Sequence, residues 1–143
     1  MFSKSCEYGL RAILHVSLHS NEKNKIGIKE IAQELDLPSA YLSKILQNLV
    51  KHNILQSTKG PNGGFYINEK SARMPIIKVV EIIDGLDHFK KCGLGLKQCS
   101  ASKPCPIHHQ YKPYRDKLRQ LLEDKTILDL TTVIENGKAF VNN

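Results

Sequence analysis

Three of the chain's four cysteines, Cys92, Cys99 and Cys105, fall in one stretch, KKCGLGLKQCSASKPCPIHHQ, with His108 and His109 directly behind them. Cysteine sulfur is a metal ligand and nucleophile only as the thiolate, and this stretch favours that form. Lys90, Lys91, Lys97 and Lys103 surround the sulfurs, and no acidic residue occurs between Asp87 and Asp116. Four readings of the trio compete. Disulfides are disfavoured in a cytoplasmic setting and by the odd number. Zinc ligands usually arrive as close C-x2-C pairs, whereas the spacing here is C-x6-C-x5-C. Inert buried thiols belong among apolar neighbours at regular periodicity, and these lie among Gly, Lys, Gln, Ser and Pro. An iron–sulfur cluster suits the pattern better: thiolates are its standard ligands, and a glycine-bearing loop can wrap an inorganic core and aim amides at its sulfurs. Pro106 is expected to open the following helix and so to place Cys105 near a helix N-terminus.

The elements that must position this loop follow from the rest of the chain. With 143 residues, 41% of them hydrophobic and 24% charged, it fits one globular domain of ordinary size or a small domain with an appended element. No apolar run approaches a membrane span, and the opening MFSKSCEYGLRAILHV reads as a first helix rather than a targeting segment, which points to the cytoplasm. A net charge of +7 suggests a polyanionic partner. The charge is unevenly spread: from Leu37 to Asn68 there is no Asp or Glu, while Lys44, Lys51 and Lys59 are present. An acid-free segment suits a face that approaches phosphates.

Leu10, Ile13, Leu14 and Leu18 recur at helical spacing, as do Ile28, Ile31, Ala32 and Leu35, and then Leu42, Ile45, Leu46 and Leu49. The second and third of these helices are separated by a turn of a few residues, the anatomy of a helix-turn-helix. On the recognition helix, Ser39, Ala40, Tyr41, Ser43 and Lys44 are the expected DNA contacts, because small and polar groups near the helix start suit entry into a major groove. The stretch ILQSTKGPNGGFYI then signals a β-hairpin, the wing, with Lys59, Asn62, Gly63 and Gly64 at or near a tip that can approach phosphate. Pro75 is expected to start a helix ending at Gly85 and buried on two sides. A long helix follows, with a narrow stripe of Tyr111, Tyr114, Leu118, Leu121 and Leu122 assigned to a symmetric dimer contact; its other faces, including Arg115, read as solvated. A short helix over 127–133 packs back, and the tail NGKAFVNN is expected to fray.

EYGLRAILHV, IKEIAQELDLPSAYLSKILQNLVKHNIL, the wing KGPNGGF and the pattern C-x6-C-x5-C-x2-H together resemble the Rrf2 family of winged-helix transcription regulators, over nearly the whole chain and on the side of its cluster-binding branch. The resemblance implies a homodimer on a palindromic double-stranded DNA operator, crossed dimerisation helices, and a 2Fe–2S or 4Fe–4S cluster held by Cys92, Cys99 and Cys105 of one subunit. It leaves two choices of fourth ligand: His108, as in IscR-like members, or Glu7 reaching over from the partner, as in NsrR-like members, with Glu7 ranked slightly first. Cys6 next to Glu7 is a departure from the family pattern; it is a spare ligand or, more in keeping with the first helix, a small buried residue. The first cysteine gap is also one residue longer than the IscR pattern.

The expected fold is therefore mainly α with a small β-hairpin wing: a winged helix-turn-helix over residues 1–70, whose first helix also meets the partner, and a cysteine-loop and dimerisation region over 71–143. The expected function is transcription regulation under control of a cluster that senses nitric oxide, redox or iron–sulfur status. The alternative is a cluster-free winged-helix regulator whose cysteines bind zinc or act as a thiol switch. An enzyme built on a Cys and His pair lacks support, since no nucleophile elbow, phosphate loop or paired carboxylates accompany it.

Overall fold

The computed structural model describes residues 1–142. Helix α1 (Lys4–His19) starts where the Ser3 side chain accepts from the Cys6 amide, and runs sixteen residues to Ser20. Helix α2 (Ile28–Leu35) ends at Asp36, whose left-handed backbone (φ 54°) closes the last turn. Helix α3 (Ser39–Lys51) follows immediately, so the two form the expected helix-turn-helix.

Strands β1 (Gln56–Thr58) and β2 (Gly64–Tyr66) pair antiparallel, with Gln56 opposite Tyr66 and Thr58 opposite Gly64. A two-stranded ladder this short is marginal alone, and it is braced at its foot by a bridge from Ile26 to Phe65. Gly64 makes that brace possible: its φ is +146°, and a Cβ there would stand 2.7 Å from the Ile26 carbonyl oxygen.

The second half begins with α4 (Glu69–Ala72), a single turn the periodicity does not announce, capped by Asn68. Helix α5 (Ile77–Asp84) starts two residues after Pro75, which is instead bridged to Thr126. It packs against α1 and α3 on one side and α6 on another, buried on two sides as its composition requires. A 3₁₀ turn (Asp87–Phe89), the cysteine loop, α6 (His108–Asp124) and α7 (Ile127–Glu135) complete the chain. A reciprocal Thr126–Asp129 capping box starts α7, and its Thr131 hydroxyl, which donates to the Ile127 carbonyl at 2.7 Å, is hydrogen-bonded to the Ser17 hydroxyl of α1 at 3.1 Å.

The tail does not fray throughout: Arg11 donates from Nε to the Val141 carbonyl at 3.2 Å and from Nη2 to the Leu35 carbonyl at 3.0 Å, tying α1 to the chain end and to the end of α2. Asn143 lies outside the described residues.

One core serves both halves. Ile13 and Val16 of α1, Ile31 and Leu35 of α2, Leu42, Leu46 and Leu49 of α3, Val79 and Val80 of α5 and Ile127 of α7 all lie in it, each essentially free of solvent. Gly9 lets α1 approach α3 and α5 closely, because a Cβ there would strike Ile83 and lie 3.2 Å from Ile45 Cγ2. Leu46, in the middle of α3 and fully buried, is expected to cost about 2–5 kcal/mol of stability when cut to alanine, read as a lower midpoint in urea denaturation.

Candidate nucleic-acid interface and cysteine site

The acid-free segment folds into one face. Ser39, Ala40, Lys44 and Gln47 are exposed along α3, and Ser43 is half-buried with its hydroxyl accepting from Gln47 Nε2 at 3.2 Å. The first-turn amides of α3 have no side-chain cap, so they are free to donate to a phosphate. Tyr41 is exposed only in part: its hydroxyl hydrogen-bonds to that of Ser5, and its ring stands edge-on to Tyr8 with centroids 5.7 Å apart. That arrangement ties the start of the recognition helix to α1.

At the wing, Lys59 and Asn62 are exposed at the tip, and the turn closes through the Gly63 amide donating to the Gly60 carbonyl at 2.9 Å. Gly63 is tight as well as flexible, since a Cβ there would collide with the Thr58 carbonyl. Between α3 and the wing runs a groove of about 430 Å³ lined by Gln47, Val50, Ser57, Thr58, Lys59, Gly64 and Phe65. Gln47, Ser57 and Thr58 thus join the expected contacts; the acid-free composition of the segment from Leu37 to Asn68 was the signal that could have included them.

The cysteine loop hangs between the 3₁₀ turn and α6. Cys92, Cys105 and His108 are each more than nine-tenths buried and Cys99 is intermediate. The side chains meet in two pairs: the Cys92 thiol contacts Cys105, and Cys99 Sγ lies 3.3 Å from His108 Nδ1. Among the described residues, no three His, Cys, Asp or Glu side chains are grouped closely enough to hold a single metal ion. The Leu94 amide donates to Cys92 Sγ at 3.4 Å, and donation from the Leu94 and Leu96 amides, followed by the Cys105 thiol, holds the Cys92 pKa below its ordinary value. A cavity of about 540 Å³ opens beside Cys92 and Cys99, bordered by Lys90, Lys91 and Lys97.

Two expectations need correction here. Pro106 does not open α6: the helix begins at His108, after a turn in which the His108 amide donates to the Cys105 carbonyl at 3.0 Å. Arg115 is not solvated. It is 8% exposed, and its Nη1 donates to the Lys91 carbonyl at 2.6 Å, next door to Cys92. A buried charged residue reads as polar surface in any periodicity count, so only the fold reveals it.

The other candidate ligands sit on α1. Glu7 is half-buried and pairs with Lys4 at 3.2 Å. Cys6 is fully buried, and burial first, then the neighbouring Asp84 carboxylate, push its thiol up to about 12, which makes it an inert core residue.

A family model described as "Iron-dependent Transcriptional regulator", Rrf2, matches residues 2–132. The chain belongs to the Rrf2 family. Among curated relatives of this Rrf2 chain is the HTH-type transcriptional regulator IscR of Sodalis glossinidius, 25% identical over 125 residues, covering 87% of this chain and 74% of the relative. Among solved structures, T. potens IscR superposes with a TM-score of 0.74 at 18% identity, covering 98% of this chain and 92% of its own. CymR, the global cysteine regulator of B. subtilis, superposes at 0.73 and 17% identity, covering 92% and 96%. These structures share the winged-helix fold, and the family makes the chain a DNA-binding transcription regulator rather than an enzyme. Among the described residues no helix is long and apolar enough to cross a membrane.

The two thiol environments of this Rrf2 protein predict opposite reactivity. A lowered pKa keeps Cys92 as thiolate to lower pH than a free cysteine, and Cys6 stays protonated. Iodoacetamide at about pH 7.5 should alkylate Cys92 well ahead of Cys6 by peptide mass spectrometry; equal labelling of the folded protein would contradict both assignments.

Proposed function

We propose that the protein is a homodimeric regulator of a palindromic operator whose DNA affinity is set by an iron–sulfur cluster held at Cys92, Cys99, Cys105 and His108. The observation that carries this reading is the pairing of Cys92 with Cys105 and of Cys99 with His108 in one cation-rich loop, with amides donating to a sulfur. The donor set fits such a group: amide donation to sulfur and four flanking lysines offset the negative charge that thiolates and inorganic sulfide bring. His108 stands beside Cys99 within one chain, whereas Glu7 would have to come from the partner subunit. When bound, the cluster supplies a centre that responds to oxygen, nitric oxide or iron supply.

The chain's own part is to pass the state of the loop to the DNA-reading heads. Lys91 and Cys92 are adjacent, the Lys91 carbonyl is held by Arg115 of α6, and α6 packs on α5, which packs on α1 and α3. A loop that changes shape therefore moves α6. Along α6, Tyr111, Tyr114 and Leu121 are exposed, an apolar stripe that a second copy covers in the proposed dimer. Shifting two such helices alters the spacing of the two heads, a coupling between distinct sites.

The contact of Cys92 with Cys105 favours a second reading, a thiol switch without a cluster. There the two thiols form a disulfide, surrendering two electrons and two protons to an oxidant such as hydrogen peroxide. Iron and sulfide analysis of anaerobically purified protein separates the two.

Two outcomes are expected. Cys99→Ala should remove the visible absorption of anaerobic protein, together with its iron and sulfide; colour retained in full would sink the cluster. Lys59→Ala should weaken operator binding and flatten the slope of log affinity against log salt by about 0.9 for each phosphate that is no longer neutralised, in a retardation assay over several salt concentrations.

A further inference from the structure

We propose that His15 and His19 of α1, facing Glu30 and Glu34 of α2, form a binding site for a divalent transition-metal ion of the zinc class, and that the ion ties α2 to α1. The two histidines stand one helical turn apart, and their rings meet with centroids 4.5 Å apart and an interplanar angle of 49°. Residues at i and i+4 carry their side chains on one helix face, the spacing at which paired histidines chelate zinc. Glu30 and Glu34 repeat that spacing on α2.

Packing sets the two faces against each other. Arg11, one turn before His15, donates from Nη2 to the carbonyl of Leu35, the last residue of α2. Burial first, then His19, hold the His15 pKa below its ordinary value, against the opposing pull of the Glu34 and Glu30 carboxylates, so both carboxylates lie within electrostatic reach of the ring. A neutral imidazole is the form that ligates a metal. His15 is 5% exposed, yet neither of its ring nitrogens is among the sealed-off polar atoms without a partner, and among the described residues neither makes a hydrogen bond; both therefore still touch solvent. His19 is exposed.

As the side chains lie, the imidazoles are a pair without a third ligand in reach. Rotation supplies one. Glu30 and Glu34 are both exposed, and among the described residues neither takes part in an ion pair, so either can swing about its own side-chain torsions and leave both helices in place. Two imidazoles, a carboxylate and a water make the four-coordinate shell that zinc adopts, whereas magnesium and calcium take oxygen ligands. None of the four residues belongs to the cysteine loop. Because α2 packs on α3, an ion at this site stiffens the seat of the recognition helix.

Zinc titration tests the site on the full-length chain carrying Cys92→Ser, Cys99→Ser and Cys105→Ser, whose missing thiols make the outcome independent of the cluster reading. By calorimetry, His19→Ala in this background should weaken zinc binding at least about tenfold, and so should Glu30→Gln with Glu34→Gln. Zinc at about 100 times its Kd should raise the thermal midpoint of the parent by about 5 °C or more and leave His19→Ala unmoved. The wild-type chain gives a second measurement: excess zinc should slow modification of His19 by diethyl pyrocarbonate, and not that of His52, in peptide mass spectrometry. The proposal is overturned if His19→Ala or the paired glutamine variant binds zinc as tightly as the parent, or if zinc leaves the modification of His19 unchanged.

Discussion

A guanidinium removed from water must be held by acceptors, and in this protein Arg115 finds one in the Lys91 carbonyl at 2.6 Å. The segment from Lys90 to Ile107 contains no regular helix or strand, so its position depends on a few fixed points. The Arg115 contact is one, the Phe89 side chain buried in the core is another, and the turn from Cys105 to His108 is the third. Cysteine geometry here is therefore set from the long helix outward. Sulfur chemistry in the loop and the placement of α6 are parts of one mechanical unit.

Helix α1 performs the complementary task at the other end. It touches α2, α3, α5 and α7, and through Tyr8, Ser5 and Tyr41 it reaches the first turn of the recognition helix. The winged head is consequently not a bead on a string: its core residues continue into α5 and α7. A disturbance at α5 or α6 has a packed route to the DNA-facing side, because close-packed interiors transmit displacement instead of absorbing it.

Much of this was legible before any coordinates. Three amphipathic periods and a glycine-rich hairpin suffice for the head, because each of those features has a local cause: burial of a stripe, or a turn needing positive φ. The cysteine trio stands out in the sequence by its polar, glycine-bearing context, and only the fold shows that two of its members are buried and that the side chains meet as Cys92 with Cys105 and Cys99 with His108. What stayed hidden depends on tertiary contacts. Pro106 looks like a helix start, yet α6 begins at His108 and carries Pro113 inside it. Pro75 looks like another, yet it is drawn into a bridge with Thr126. Arg115 reads as surface until the Lys91 carbonyl is seen above it. The tail reads as loose until Arg11 is seen reaching across to Val141.

The wing has a consequence of its own. It is clamped where Ile26 meets Phe65, and from Lys59 to Asn62 it projects into solvent with its turn closed by the Gly63 amide on the Gly60 carbonyl, a short arm on a fixed root. Such an arm can follow local variation in the width of a duplex groove while α3 stays in register. Tolerance for differing flanking bases would then be governed at the root, where Gly64 admits no side chain, and hardly at all by the identity of the residues at the free end.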